Sequence, residues 1–166
     1  MILYHGCLVV VETPQILVRE AGRGADFGTG FYTTSSYGQA VRWVRVRQKG
    51  QETPGAGYVS FYEVPDDLMR LQELHTRRFQ AANAAWLHFV RENRSNPRFE
   101  HAYDVVQGPV ANDRVYATLN LWEGGFLNDK QTILQLKTFK LVDQYLFHTE
   151  KALEYLRFLK AKEIQP

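Results

Sequence analysis

The stretch ADFGTGFYTTSSYGQAVRW, residues 25–43, decides how the rest of the sequence is interpreted. Two of its glycines, Gly28 and Gly30, predict a tight turn, because glycine lets the backbone approach and turn without a side chain in the way. Tyr32 follows directly and precedes a helix start, where a hairpin needs no tyrosine and a phosphate-binding loop would carry a lysine. The question for the remaining sequence is what the ring of Tyr32 faces.

The bulk composition fits a single domain over residues 1–166. The chain is 45% hydrophobic and 13% aromatic, which allows a substantial core, and 23% charged. No run of about 18 apolar residues is present, so no membrane span is expected, and the first residues lack the pattern of a signal peptide. The only cysteine, Cys7, excludes an internal disulfide and a cysteine-based zinc cluster. The expected compartment is the cytoplasm.

Positive charge is concentrated in one part of the chain, although the formal net charge is only +2. This mild balance does not by itself indicate nucleic-acid binding. The basic residues between positions 19 and 49 outnumber Glu20 and Asp26, and they are Arg19, Arg23, Arg42, Arg45, Arg47 and Lys49. On a helix, Arg42, Arg45 and Lys49 would share one face, which is either a solvated surface or a phosphate-binding rim.

Hydrophobic patterning predicts strands and helices without regular βαβ alternation, so the expected class is α+β. Strands are predicted over residues 1–5, 8–11, 58–64, 102–110 (ending in a Gly-Pro turn) and 144–149. Helices are predicted over residues 37–48, 66–74 and 78–93, from 128 or 129 to about 139, and over 150–161. Their predicted caps are Ser35 or Ser36, Asn128 or Asp129, and Thr149. The predicted buried stripes are Phe79, Ala82, Trp86, Phe89 and Val90 in one helix, and Ala152, Leu153, Leu156 and Leu159 in the last.

Several familiar motifs are incomplete in this sequence. Asp26-Phe27-Gly28 imitates a kinase metal-binding triplet, but no His-Arg-Asp loop accompanies it and the chain is too short. The glycine pairs at 22 and 24 and at 28 and 30 lack the strand-turn-helix unit of a dinucleotide fingerprint. The five histidines show no ligand spacing, so no metal site is expected.

Three separated segments carry the remaining signal: LYHG at 3–6, GTGFYTT at 28–34 before a helix with Ala40 and Trp43, and DQYLFH at 143–148. In this order they resemble the ADP-ribosyltransferase superfamily, on the branch with a His-Tyr-Glu triad that includes diphtheria-toxin-like enzymes and poly(ADP-ribose) polymerases. They are most similar to small bacterial toxin-like proteins, whose GxGFYTT and QxxFHTEKAL segments match residues 28–34 and 144–153. The resemblance extends from Leu3 to about Leu159.

The resemblance implies split antiparallel β-sheets that form a cleft for NAD, with flanking helices. It implies that the ring of Tyr32 stacks on the cationic nicotinamide, with Trp43 or Tyr37 on the other side, a contact worth roughly 0.5–2 kcal/mol. Gly30 and Phe31 would belong to the same cofactor-binding segment. The alternative is that Phe31 and Tyr32 simply form the buried and half-exposed faces of a strand.

The resemblance gives the first segment two roles. Gly6 would offer its backbone N–H and C=O to the nicotinamide carboxamide. His5 would hydrogen-bond a ribose hydroxyl, since a neutral imidazole has one donor and one acceptor. The alternative for His5 is a structural histidine at a strand end.

The third segment departs from the family pattern, because Gln144 stands where the triad has a glutamate. A glutamine can orient the ribose 2′-hydroxyl, but it carries no charge and cannot act as a base. Loss of that stabilisation would cost around 3 kcal/mol of barrier. Four carboxylates are candidates to take over part of the role of the missing glutamate: Asp104, Asp113, Glu123 and Glu150. Glu123 is expected on a mobile loop, and the other three have structural alternatives.

The resemblance therefore implies an NAD-dependent mono-ADP-ribosyltransferase with catalytic residues His5, Tyr32 and Gln144. NAD would be its substrate, and a bacterial intracellular toxin-like effector of this kind would modify a protein or nucleic-acid acceptor and have a cognate antitoxin. Two alternatives follow from Gln144: a weak or inactive binding module for NAD or ADP-ribose, and an NAD glycohydrolase. A third is a nucleic-acid-binding protein that uses the basic helix face.

Overall fold

The computed structural model describes residues 1–16, 25–53, 55–110, 113–139 and 141–166, except for the side chains of residues 113 and 114. These residues form seven strands and five α-helices. In chain order they are β1 (Ile2–Cys7), β2 (Phe31–Thr33), α1 (Tyr37–Lys49), β3 (Gly57–Glu63), β4 (Thr76–Arg78), α2 (Ala84–Ser95), β5 (Val105–Pro109), α3 (Asp113–Glu123), α4 (Asp129–Leu136), β6 (Asp143–Phe147), α5 (Glu150–Leu153) and β7 (Arg157–Ile164).

The strands form two sheets, which confirms the α+β class. The first sheet is antiparallel with strand order β1-β3-β7, and the second has the order β2-β6-β5-β4. The expectation of wholly antiparallel sheets is wrong for one pair, because β4 and β5 are parallel. The chain runs from β4 through α2 to β5, and a helical crossover of this kind returns the chain in the same direction.

The edges of the two sheets meet at β1 and β2. Tyr4 of β1 and Thr34, directly after β2, form an antiparallel bridge with backbone N···O distances of 2.8 and 3.0 Å. The bridge brings the N-terminal strand next to the segment that follows the glycine turn. It therefore positions two of the three sequence segments singled out above.

Hydrophobic side chains pack on both faces of the second sheet. Because neighbouring strand residues point to opposite faces, Val106 and Leu146 pack against α2, α3 and α4, while Val105 and Phe147 pack toward the first sheet. A third cluster joins α1 to the first sheet through Ala40, Val44, Val59 and Ile164. Strand β6 therefore contributes side chains to two hydrophobic clusters, one on each face of the second sheet.

Helix α1 forms where the sequence predicts it. Ser36 caps the helix by accepting a hydrogen bond from the backbone N–H of Gln39 at 3.2 Å. The helix packs so closely on β1 that a Cβ added to Gly6 would lie 2.1 Å from the carbonyl oxygen of Ala40. A glycine is therefore required at position 6 by packing alone.

Two predicted helices are shorter than expected because part of each predicted range lies in, or continues, a β-strand. The helix predicted from residue 78 begins at Ala84, since Asn83 caps it and the N–H of Phe79 bonds the carbonyl of Gln107 in continuation of β4. The helix predicted over 150–161 ends at Leu153, and its second half is β7, paired with β3. Leu159 is consequently 41% exposed instead of buried.

Smaller corrections concern four other segments. The strand predicted over 8–11 is absent, because side chains of β3 hold Val11 across the sheet: Ser60 Oγ accepts from its N–H and Tyr62 Oη donates to its carbonyl. The helix predicted over 66–74 is only a 3₁₀ turn, Leu68–Arg70. Gly108 and Pro109 lie within β5 and not in a turn. Helix α3 was not predicted, and Glu123 ends it instead of lying on a mobile loop.

None of the described helices has the length and apolar character needed to cross a bilayer.

Candidate functional site

His5 joins the two sheet edges beside the Tyr4–Thr34 bridge. Its Nδ1 lies 2.7 Å from the carbonyl oxygen of Tyr32. Its ring stacks on that of Phe31, with centroids 4.4 Å apart and planes inclined by 28°. The structure therefore brings together His5, Phe31 and Tyr32, which come from two separate segments of the sequence.

The contact with Tyr32 determines the protonation of His5. A carbonyl oxygen can only accept, so Nδ1 carries the proton and Nε2 is the acceptor of the neutral ring. Burial lowers the pKa of His5 from 6.5 to about 4, the Tyr32 carbonyl partly offsets this, and the charge of Arg47 lowers the pKa further. His5 is consequently a neutral imidazole at physiological pH, with an acceptor nitrogen on the side away from β2.

The backbone of Gly6 faces the gap between the sheet edges. The N–H and C=O of Tyr4 both bond Thr34, and strand alternation directs those of Gly6 to the same edge, away from β3. The Gly6 carbonyl accepts a hydrogen bond from Arg47 Nη1 at 3.0 Å. Both backbone groups that the sequence analysis assigns to ligand binding therefore lie at this edge, where Gly6 is buried and its carbonyl is already bonded to the guanidinium of Arg47.

The two aromatic residues considered as partners for Tyr32 lie in different surroundings. Trp43 is half-buried on α1, and its carbonyl lies 3.4 Å from Arg47 Nη1. Tyr37 packs in an aromatic cluster, with ring centroids 5.6 Å from Tyr4 and 5.8 Å from Phe61. Arg47 thus contacts the backbone carbonyls of both Trp43 and Gly6, whereas Tyr37 serves the packing of α1 on the first sheet.

The hydroxyl of Tyr32 faces its own glycine turn, which answers the question raised by the sequence. It donates to the carbonyl of Gly28 at 2.7 Å and accepts from the N–H of Phe27 at 3.2 Å. Gly28 and Gly30 have φ values of 92° and 148°, a backbone region that favours glycine. The turn also lies close against β6, because a Cβ on Gly30 would lie 2.4 Å from the carbonyl oxygen of Phe147.

Two histidines complete the fixation of this turn. His101 Nε2 lies 2.8 Å from the carbonyl oxygen of Phe27, and His148 Nδ1 lies 2.5 Å from that of Thr29. With Tyr32 on Gly28, three consecutive carbonyls each meet a side-chain donor. The turn therefore holds the residue that precedes it, Asp26, in a defined position.

Gln144 lies at the start of β6, on the same face of the sheet as Tyr32. Tyr32 pairs with Leu146, and residues two apart in a strand share a face. Gln144 is only 4% exposed, and its Nε2 donates to Asp26 Oδ2 at 3.1 Å and to the carbonyl of Pro109 at 3.4 Å. The residue at the triad position thus contacts a buried carboxylate from the loop before β2.

A polar cluster extends from Gln144 toward the helices. Arg94 Nη1 lies 3.9 Å from Asp26 Oδ1, and Arg94 Nε lies 3.4 Å from Glu123 Oε1. We refer to Asp26, Arg94, Glu123 and Gln144 as the Asp26 cluster. Its described side chains include two carboxylates and one guanidinium. Asp26 and Arg94 were not assigned to the site from sequence, where Asp26 stood out only in an incomplete motif.

The other candidate carboxylates occupy structural positions. Asp104 accepts hydrogen bonds from the hydroxyl of Thr149 at 2.7 Å and the N–H of His75 at 2.8 Å. Burial raises the pKa of Asp104, but these hydrogen bonds and the charges of Lys151 and His75 bring it below its usual value. Glu150 is exposed at the start of α5. Both lie at the opposite end of β6 from Gln144, and the side chain of Asp113 is outside the described structure.

The basic helix face is solvent-exposed. Arg42, Arg45 and Lys49 are all exposed on α1, whereas Arg19 and Arg23 lie outside the described residues. Among the described residues, no group of three or more His, Cys, Asp or Glu side chains is arranged to hold a metal ion.

Comparison with known proteins gives one match. A family described as "Protein of unknown function (DUF3990)" matches residues 1–158. No curated protein and no solved structure matches the chain.

Proposed function

This chain belongs to the DUF3990 family, whose description states no activity, and we propose, from its sequence resemblance and the placement of its strands, that it is an NAD-dependent mono-ADP-ribosyltransferase. The observation that carries the proposal is that β1, which holds His5 and Gly6, meets β2, which holds Tyr32, and that β2 pairs with β6, which holds Gln144. Two sheets that meet edge to edge at β1 and β2 suit the split-sheet NAD cleft that the sequence resemblance implies. The resemblance also supports a bacterial intracellular toxin-like role with a cognate antitoxin.

The β1 edge provides groups suited to the nicotinamide half of NAD. The backbone N–H and C=O of Gly6 match the acceptor and donor of a carboxamide. His5 Nε2, as an acceptor, takes a hydrogen bond from a ribose hydroxyl, because its Nδ1 is committed to Tyr32. Arg47 adds a positive charge beside Gly6, where the diphosphate of NAD can be attracted.

Transfer requires the bond between ribose C1″ and the nicotinamide nitrogen to break. Nicotinamide leaves with the electron pair, positive charge develops on the ribose, and the acceptor's nucleophile forms the new bond at C1″. Tyr32 provides an electron-rich ring for the pyridinium. Gln144 is on the same sheet face and would orient the ribose 2′-hydroxyl.

The second candidate is a binding module for NAD or ADP-ribose, and it is favoured by one observation: Gln144 itself carries no charge. The two functions differ in whether nicotinamide is released. Incubation with NAD labelled in the adenylate moiety, in cell lysate, follows the entry of label into protein, RNA or DNA, and chromatography of the same reaction measures released nicotinamide.

We expect nicotinamide release and labelled acceptor with the wild type, both lost in Gln144→Ala. Gln80→Ala, an exposed glutamine replacement, is the matched control and should behave as the wild type. Release without labelled acceptor would indicate an NAD glycohydrolase. Absence of release with the wild type would contradict the transferase and leave the binding module.

A further inference from the structure

Helix α1 and strand β7 together present an exposed basic surface. We propose that this surface binds the phosphate backbone of a nucleic-acid strand, and that the bound strand is the acceptor of the transfer. The role as acceptor rests on the proposed function, whereas the binding of the strand does not. We refer to the surface as the α1–β7 basic face, and its side chains are all exposed: Arg42, Arg45, Lys49, Lys160 and Lys162.

Contacts at both ends of α1 place β7 beside the helix. Gln48, in the last turn of α1, donates through Nε2 to the carbonyl of Ile164 at 3.0 Å. Lys162 Nζ lies 5.6 Å from the centre of the ring of Tyr37, in the first turn. The end of β7 therefore lies along the side of α1.

The cations of α1 lie on the side of the helix that faces β7. Ala40 and Arg47 approach Gly6 and so face β1, which is at the opposite edge of the first sheet from β7. With 3.6 residues per turn, Arg45 and Lys49 project from the other side of the helix. Arg42 is one turn before Arg45 and shares its face.

The two lysines of β7 lie on the face of the first sheet that α1 covers. Lys162 pairs with Val59, which packs in one cluster with side chains of α1. Lys160, two residues earlier, shares this face, and its Nζ lies 5.1 Å from the centre of the ring of Phe61. Glu163 is the one acidic residue of β7 and points to the opposite face. The lysines of β7 and the cations of α1 therefore form one surface.

This surface has no acidic counterpart in the described part of the chain. Helix α1 contains no acidic residue, and none of the five cations forms an ion pair with a described carboxylate. Cations gathered on one face repel one another. A polyanion that binds there removes this repulsion and releases its own condensed counterions, which favours binding.

The residue types favour a nucleic acid over an acidic protein. Three of the five cations are lysines, a residue that is depleted at protein–protein interfaces, whose centres are apolar and poor in charge. A phosphate backbone is bound by separate cations on an exposed surface and needs no apolar centre.

The surface lies close to the edge proposed for NAD. Helix α1 separates the two, since its Ala40 side packs on Gly6 of β1, and a helix is about 10–12 Å in diameter. A strand with one phosphate per about 3.4 Å spans that width within a few nucleotides. In the transfer, nicotinamide leaves with the electron pair of the bond to C1″. A nucleophilic nitrogen or oxygen of the strand forms the new bond, and its proton passes to water.

The experiment neutralises three cations of the α1–β7 basic face. Fluorescence anisotropy compares the wild type with Arg45→Gln/Lys160→Gln/Lys162→Gln in binding a labelled single-stranded oligonucleotide of mixed sequence over a series of salt concentrations. Each contact to a phosphate of a single strand contributes about 0.7 to the slope of log K against log salt concentration. We therefore expect a slope shallower by about 2 and a Kd about 100-fold higher near 0.1 M salt.

The matched control is Arg77→Gln/Arg91→Gln/Lys130→Gln, which removes three exposed cations outside α1 and β7. Arg77 and Arg91 each lie over an aromatic ring, as Lys160 and Lys162 do, so the two variants lose the same kind of packing contact. The control should keep the slope and a Kd within about 3-fold of the wild type.

Three results would overturn the binding surface: no binding by the wild type at low salt, equal losses in the two triple variants, or equally tight binding of polyglutamate. The last result would indicate an acidic protein as the partner.

Labelled NAD separates this inference from the proposed function. We expect the wild type to transfer the adenylate label to the oligonucleotide and the α1–β7 variant to transfer at least about 10-fold less, because it binds the strand weakly. Both proteins should release nicotinamide equally when no oligonucleotide is present. Binding of the strand without any nicotinamide release would support the surface and contradict the transferase. Nicotinamide release by a wild type that does not bind the strand, or that labels only protein, would overturn the inference and leave the transferase.

Discussion

Three histidines near the glycine turn and the β1 edge act as donors to backbone carbonyls: His5 on Tyr32, His101 on Phe27 and His148 on Thr29. Burial lowers the pKa of His5 to about 4. Burial also lowers the pKa of His101, the Phe27 carbonyl partly offsets this, and neighbouring His148 lowers it further. All three hold the β1 edge or the glycine turn, so a histidine at this site has a structural task besides any task toward NAD.

The pKa of His5 predicts how stability depends on pH. The folded-state pKa is about 4 and the unfolded-state value is 6.5, so the unfolded chain binds the proton first as the pH falls. His5 therefore costs stability progressively from about pH 6.5 to pH 4, by roughly 1 kcal/mol per pH unit. We expect His5→Gln to lose less stability than the wild type over this interval in urea unfolding. Identical slopes for the two proteins would contradict the burial of a neutral His5.

Local signals in the sequence predict those elements whose stabilising contacts are themselves local. Helix α1 begins at the predicted residue because Ser36 caps it from the preceding position and Ala40 and Val44, one turn apart, form its buried side. By contrast, Leu153, Leu156 and Leu159 have helical spacing, but residues 157–164 pair with β3, about a hundred residues away in the chain. Pairing with a strand so distant in the sequence cannot be recognised from the residues of the segment alone.

The glycine turn before β2 gives a prediction at the level of the element. Gly30→Ala places a Cβ 2.4 Å from both Leu146 Cδ1 and the Phe147 carbonyl, at a φ of 148°. Strain and clash should together destabilise the protein by about 2 kcal/mol or more. Gly38, on α1, is the matched control, because the nearest atom to its added Cβ is 3.9 Å away.

We expect Gly38→Ala to be neutral or to stabilise by up to about 1 kcal/mol, as alanine does within a helix. Denaturant midpoints for the two variants measure the difference. Equal effects would show that the contact between the turn and β6 does not require glycine.

At the scale of the whole molecule, the candidate residues lie on strands of both sheets. The sequence resemblance identified His5, Gly6, Tyr32 and Gln144, and the strand order places them on β1, β2 and β6 around the meeting edges. It did not identify the Asp26 cluster, because that cluster is assembled from a loop, the end of α2, the end of α3 and the start of β6. Each of its charged residues has an ordinary surface interpretation when it is considered alone.

The central claim is that NAD binds at the edge where β1 meets β2, and calorimetric titration with NAD tests it most directly. We predict that Tyr32→Ala raises the Kd for NAD by about 2- to 30-fold, the range expected for a lost cation–π contact. Two controls should keep a Kd near the wild-type value: Tyr32→Phe, which keeps the ring, and Arg45→Ala, on the exposed face of α1. No binding by the wild type, or equal losses in Tyr32→Ala and Arg45→Ala, would contradict it.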